Sequence, residues 1–107
     1  MSIDPMAATI DWLDAYRAGD LRTILSLYAE DATIECRCNG GATISGHTAL
    51  RAYWRDRLLQ YPASDLDNLR PTNNGAAIAY SSNGGVYRCD LEFNATGLID
   101  FHSCGPD

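Results

Sequence analysis

The rhythm of apolar and polar residues changes along the chain, from a helical period to a period of two. Between Pro5 and Ala18 the residues Met6, Ile10 and Leu13 share a stripe that continues to Arg17. Trp12 and Tyr16 widen it into a broad apolar face, as on a helix packed against a core. Asp4-Pro5 supplies an N-cap and a first-turn proline, and Gly19 a left-handed stop. Asp20 then caps a short second helix, predicted over 21–29, whose buried face holds Leu21, Ile24, Leu25 and Tyr28.

After Asp31 the period becomes two. Ala32, Ile34, Cys36 and Cys38 alternate with Thr33, Glu35 and Arg37, the pattern of a half-buried strand. Asn39-Gly40-Gly41 offers the positive φ angles of a tight hairpin, and Ala42–Ser45 returns. A third helix is predicted over 47–60 through Leu50, Tyr53, Trp54, Arg57 and Leu58, and Pro62 stops it. Asn/Gly turns at 73–75, 83–85 and 94–97 then cut the second half into short strands, an antiparallel meander. Helices first and strands later make the fold α+β, with three N-terminal helices packed on the concave side of a curved, mostly antiparallel sheet.

Within that meander Val86–Phe93 has the clearest faces. Tyr87, Cys89, Leu91 and Phe93 point inward, and Arg88, Asp90 and Glu92 outward. Ile78, Tyr80 and Ser82 point inward too. The last strand, Leu98–Gly105, has two readings. Hydrophobicity alone puts Ile99 and Phe101 inward; the other phase turns Asp100, His102 and Cys104 inward.

Length and charge narrow the function. A chain of 107 residues makes one domain, 1–107, with room for a core and a small pocket. The formal charge is −6 and all eight basic residues are arginine. An acidic surface without a basic cluster argues against nucleic acid, and the absence of lysine removes Schiff-base chemistry. No apolar run reaches transmembrane length and the N-terminus lacks the features of a signal peptide, so a cytoplasmic protein with no membrane contact is expected. The four cysteines are then read as reduced thiols.

Three sets of residues could carry chemistry. Cys36 and Cys89 converge between sheet and helices; they are either packed thiols, a nucleophile activated by His102, or metal ligands. Cys-x-Cys with scattered Cys and His is not a structural zinc spacing, so no metal and no cofactor are expected. A disulfide between Cys36 and Cys89, placed on neighbouring strands, is disfavoured by a reducing compartment. Asp100 and His102 at i, i+2 form a candidate acid–base pair. The aromatic residues Trp12, Tyr16, Tyr28, Tyr53, Trp54 and Tyr80, with Cys36, Cys89 and His102, are read as the wall of an apolar pocket for a small apolar or aromatic ligand. Their alternative is a plain core.

The stretches Ala18-Gly19-Asp20-Leu21, Leu27–Glu35, and Ser45-Gly46 with Ala49-Leu50 resemble the nuclear transport factor 2-like superfamily, across roughly residues 8–105. Ketosteroid isomerases and SnoaL-like polyketide cyclases belong to it. The resemblance implies a cone-shaped domain enclosing a pocket, His102 and Cys104 turned inward, and a homodimer formed through the outer face of the sheet. It also implies that Trp12 stands where the isomerases carry an oxyanion-hole tyrosine, Cys36 at their general base, and Cys89 at their second acid. A thiol is a poor substitute for either carboxyl, so isomerase chemistry of that kind is not expected. Two functions follow: a small-molecule-binding domain, with catalysis by Cys36, Asp100 or His102 left open, or a non-catalytic homodimeric interaction module with a filled pocket.

Overall fold

A computed structural model describes residues 4–37 and 41–106. Cys38 and the Asn39-Gly40 part of the expected hairpin turn lie outside the described residues. Helix α1 (Pro5–Ala18) starts where the Asp4 carboxylate accepts the Met6 N–H at 3.0 Å. It ends at Gly19, whose φ of 67° lets the chain turn back, with its N–H on the Tyr16 carbonyl. Asp20 caps α2 (Leu21–Ser26) by accepting from the Thr23 N–H and hydroxyl at 3.2 and 2.7 Å. The same contacts, hydroxyl first, hold its carboxyl below the usual aspartate range.

Helix α2 is shorter than the expected 21–29, and the first strand begins at Tyr28 rather than near Ala32. The cause is competition for the backbone. The Ile99 N–H takes the Leu27 carbonyl at 2.9 Å and Tyr28 pairs with Ile99, so the sheet claims groups that another helical turn would need.

Strands β1 (Tyr28–Cys36) and β2 (Ala42–Ser45) form the first hairpin, and α3 (His47–Gln60) follows. The remaining strands are β3 (Ala63–Pro71), β4 (Gly75–Ser82), β5 (Gly85–Phe93) and β6 (Ile99–Pro106). The six-stranded sheet has the order β2-β1-β6-β5-β4-β3. Among the described residues only the β1·β6 pair is parallel; the other four pairs are antiparallel. The meander brings β6 beside β1, the first strand, so helices packed on one face close a core against the middle of the sheet. That is the α+β architecture expected.

One irregularity decides the faces of β6. Phe93 pairs with Ile99, but Glu92 pairs with Phe101, so Asp100 is extra and the alternation slips there. Ile99, His102 and Cys104 are consequently all buried, while Phe101 and Ser103 turn outward. The hydrophobic phase is right for Ile99 but not for Phe101, and the other phase is right for His102 and Cys104 but not for Asp100, because the bulge shifts the alternation between them.

Candidate functional site

The inner half of the domain is closed. Trp12 from α1 is fully buried and meets Tyr16, Trp54, Tyr80 and His102 edge-on, with ring centroids 5.5–6.0 Å apart. This is the arrangement aromatic quadrupoles prefer. Its indole N–H donates to the Tyr28 hydroxyl at 3.0 Å, and that hydroxyl lies 2.8 Å from His102 Nδ1. Burial pushes the Tyr28 phenol well above its ordinary pKa, so it stays protonated. Two polar atoms here find no hydrogen-bond partner among the described residues: Trp54 Nε1 and His102 Nε2.

The outer half is organised by a residue to which the sequence assigned no function, Arg57. It lies on the apolar stripe of α3, four residues after Tyr53 and three after Trp54, and is only 4% exposed. Its Nε donates to the Tyr16 hydroxyl at 3.1 Å and Nη2 to the Tyr80 hydroxyl at 2.9 Å; Nη1 lies 3.9 Å from Cys36 Sγ. The guanidinium carbon sits 5.3–5.8 Å from the ring centroids of Tyr53, Tyr61 and Tyr87, within cation–π range. The Tyr16 hydroxyl in turn donates to the Tyr61 carbonyl.

Electrostatics follow from this shell. Burial works against the guanidinium charge, but the Tyr16 and Tyr80 oxygens accept from it and the group is intrinsically a very strong base, so Arg57 remains a cation. Burial pushes the Tyr16 phenol up to about 12, and raises Tyr53 and Tyr80 further. These hydroxyls are neutral donors at physiological pH, not bases. Among the described residues no aspartate or glutamate is buried, so nothing inside can act as a carboxylate base.

Above Arg57 opens a pocket of about 220 Å³, lined by Cys36, Ala42, Tyr53, Arg57 and Tyr61, with Asp56 and Gln60 among its exposed walls. The nine expected wall residues divide here. Cys36 and Tyr53 line the opening. Trp12, Tyr16, Tyr28, Trp54, Tyr80, Cys89 and His102 lie beneath it as packed core, because their rings fill the space that was expected to be hollow.

The expected Asp100–His102 pair does not form. The bulge leaves Asp100 exposed beside Asp31, Glu92 and Phe101, on the face opposite His102. Cys36 and Cys89 are not on neighbouring strands either. Cys104 on β6 stands between them, opposite Cys36 in one register and Cys89 in the other. Sγ of Cys89, Sγ of Cys104 and a ring nitrogen of His102 all lie within 4.8 Å of one another. Tyr53 Oη lies 3.6 Å from Cys104 Sγ, and Tyr80 Oη 3.8 Å from Cys89 Sγ. Trp12 is not placed as an open oxyanion donor, since Tyr28 takes its N–H.

The sequence model of the SnoaL-like domain matches residues 10–97, most of the chain, from within α1 to just beyond β5. The chain belongs to the SnoaL-like domain family. This SnoaL-like domain is similar to a SnoaL-like protein of unknown function from Burkholderia thailandensis, at 19% identity and a TM-score of 0.86, covering 100% of this chain and 98% of that one. A protein from Kribbella flavida superposes with a TM-score of 0.82 at 15% identity, covering 95% and 85%. SalBIII, described as an epoxide hydrolase/cyclase-like enzyme in pyran ring formation of the polyether salinomycin, gives 0.79 at 17% identity, covering 96% and 90%. At these identities the likeness is one of fold. No curated protein matches the sequence.

Proposed function

We propose that this SnoaL-like domain binds a small, one-ring organic anion, a carboxylate or enolate on an apolar or aromatic body, in the pocket above Arg57. The observation that carries the reading is a buried guanidinium forming part of a pocket wall beside tyrosine rings. A cation at the edge of a low-dielectric interior attracts an anionic oxygen far more strongly than one in water, and the Tyr53 and Tyr61 rings suit a flat apolar body. At about 220 Å³ the pocket falls below the roughly 300–1,000 Å³ common for drug-sized ligands. That volume suits a substituted benzoate better than a steroid.

Arg57 with tyrosine donors can stabilise charge on an oxygen, but no carboxylate is buried beside it, and the acid in the described wall, Asp56, is exposed. Binding is therefore better supported than isomerisation. Thermal-shift titration with benzoate-class acids, the matching ketones and a steroid tests it. Acids should stabilise most, steroids not at all, and Arg57→Met should remove the preference for acids. Equal shifts with acids and neutral ketones would refute the role of Arg57.

The rival reading, a non-catalytic homodimeric module, is favoured by the closed aromatic interior. Its outer face has lost Ile99 to the core and keeps Phe101 among Glu92, Asp90 and Ser103. Sedimentation giving a dimer that Phe101→Glu dissociates, with no ligand response, would decide for it. The described helices include none long and apolar enough to cross a membrane, and a cytoplasmic setting remains part of the proposal.

A further inference from the structure

We infer that Cys89, His102 and Cys104 form a binding site for one zinc-type ion on the inner face of the sheet. The site is separate from the pocket above Arg57 and stands or falls independently of it.

Three observations converge. The first is geometric. The β5·β6 register sets Cys89 directly opposite Cys104, and His102 sits two residues before Cys104 on the same face. Their ligand atoms lie within 4.8 Å of one another. Metal–sulfur bonds of about 2.3 Å put neighbouring tetrahedral ligands roughly 3.8 Å apart, so closure needs about an ångström of side-chain rotation. Two thiols and an imidazole are the donors a borderline-soft ion selects.

The second is an unmet polar atom. His102 is fully buried, and Nε2 finds no hydrogen-bond partner among the described residues. Its other nitrogen faces the Tyr28 hydroxyl at 2.8 Å. The Tyr28 oxygen can accept from both Trp12 and an Nδ1–H, and that tautomer leaves the Nε2 lone pair for an ion. Metal-bound histidines are fixed through their second nitrogen in the same way.

The third is charge. An ion of charge +2 binding two thiols displaces two protons to solvent, leaving a neutral pair of thiolates and cation that a core tolerates better than a single charge. Tyr53 and Tyr80 hydroxyls stand within 3.6 and 3.8 Å of the two sulfurs, positioned to donate to thiolates. No spacing along the chain reveals this set, because the register of two strands assembles it.

The test uses the reduced full chain under argon, with Co2+ as a spectroscopic stand-in for Zn2+. One equivalent should bind with a thiolate-to-cobalt charge-transfer band in the near ultraviolet, and Zn2+ should displace it. Affinity should rise on the order of a hundredfold per pH unit below the thiol pKa values, because two protons leave. Cys89→Ser, Cys104→Ser and His102→Gln, each first checked for cooperative unfolding, should bind at least tenfold more weakly, and His47→Gln should bind normally. Should a variant fail to fold, alkylation of the wild type decides: Zn2+ should protect Cys89 and Cys104 selectively. Failure of the wild type to take up Co2+, even when refolded with it, overturns the inference. So does binding that survives all three substitutions, or equal loss with His47→Gln.

Discussion

The two ends of the cone bury polar atoms in opposite ways. At the closed end Trp12, Tyr28, Trp54 and His102 contribute ring area, and their few polar tips serve one another or find no partner among the described residues. At the open end Arg57 brings a full charge inward, and Tyr16 and Tyr80 hydroxyls and three ring faces surround it. The first arrangement is what stability requires. The second spends desolvation that a hydrophobic replacement would avoid, and it does so where a pocket opens. Packing and binding are thus segregated along one axis, and substitutions at the two ends should separate stability from ligand response.

The largest effect should come from the closed end. Trp12→Ala removes the ring that four other aromatics pack against. It should lower unfolding free energy by about 3–5 kcal/mol in denaturant titration. A loss under about 1 kcal/mol would mean that this half is loosely filled, and the contrast between the ends would fail.

How far the sequence could see also differs between the ends. The helix starts at Asp4-Pro5 and Asp20, the Asn/Gly turns and the alternation of Tyr87–Phe93 are local signals, and each predicted its element. Three features were not local. The end of α2 is set by Ile99, some seventy residues away, taking the Leu27 carbonyl. The faces of β6 depend on a bulge at Asp100 that no residue type announces. Arg57 did carry a signal, a cation on an apolar stripe between Tyr53 and Tyr61, but such arginines usually extend their heads to water. Only the tertiary placement of Tyr16 and Tyr80 shows that this one does not.

Alkaline pH probes the open end next. The folded state holds the Tyr16 phenol at about 12, against 10.0 unperturbed, chiefly through burial. A raised pKa means that the folded protein binds the proton more tightly. The contribution is complete below pH 10 and is lost as pH climbs from 10 through 12. Two pH units correspond to up to about 3 kcal/mol, and Tyr53 and Tyr80 act in the same direction. Unfolding free energy should therefore fall steeply above pH 10, less so in Tyr16→Phe. An unchanged slope in that variant would show that Tyr16 is not buried beside Arg57 in solution.

Arg57→Met should affect binding more than folding. Replacing a buried cation with a well-sized apolar chain is often close to neutral for stability, whereas affinity for an aromatic acid should drop at least tenfold, about 1.4 kcal/mol. Arg57→Lys should not restore it, since an ammonium cannot reproduce the fork that meets Tyr16 and Tyr80. Calorimetric titration of both variants sharpens the contrast. Full affinity in Arg57→Met would place the ligand elsewhere.

The smallest effects concern the thiols, which straddle the boundary between the two ends. Read from the sequence alone, as packed reduced thiols, all four cysteines should react equally and slowly. The structure instead grades the three described: Cys36 is 6% exposed in the pocket wall beside the Arg57 guanidinium, while Cys104 and Cys89 are 2% and 0% exposed. A neighbouring cation favours the thiolate, and access lets a reagent reach it. In the metal-free protein Cys36 should therefore be alkylated before Cys104 and Cys89. Arg57→Met should slow it selectively. Cys36→Ala should cost only about 1 kcal/mol, because a single sulfur is removed and the space it leaves adjoins the pocket. Mass-spectrometric mapping of alkylation against time reads the order directly. If Cys89 or Cys104 reacts as fast as Cys36, the closed end opens more readily than its packing implies, and the two halves do not differ as described.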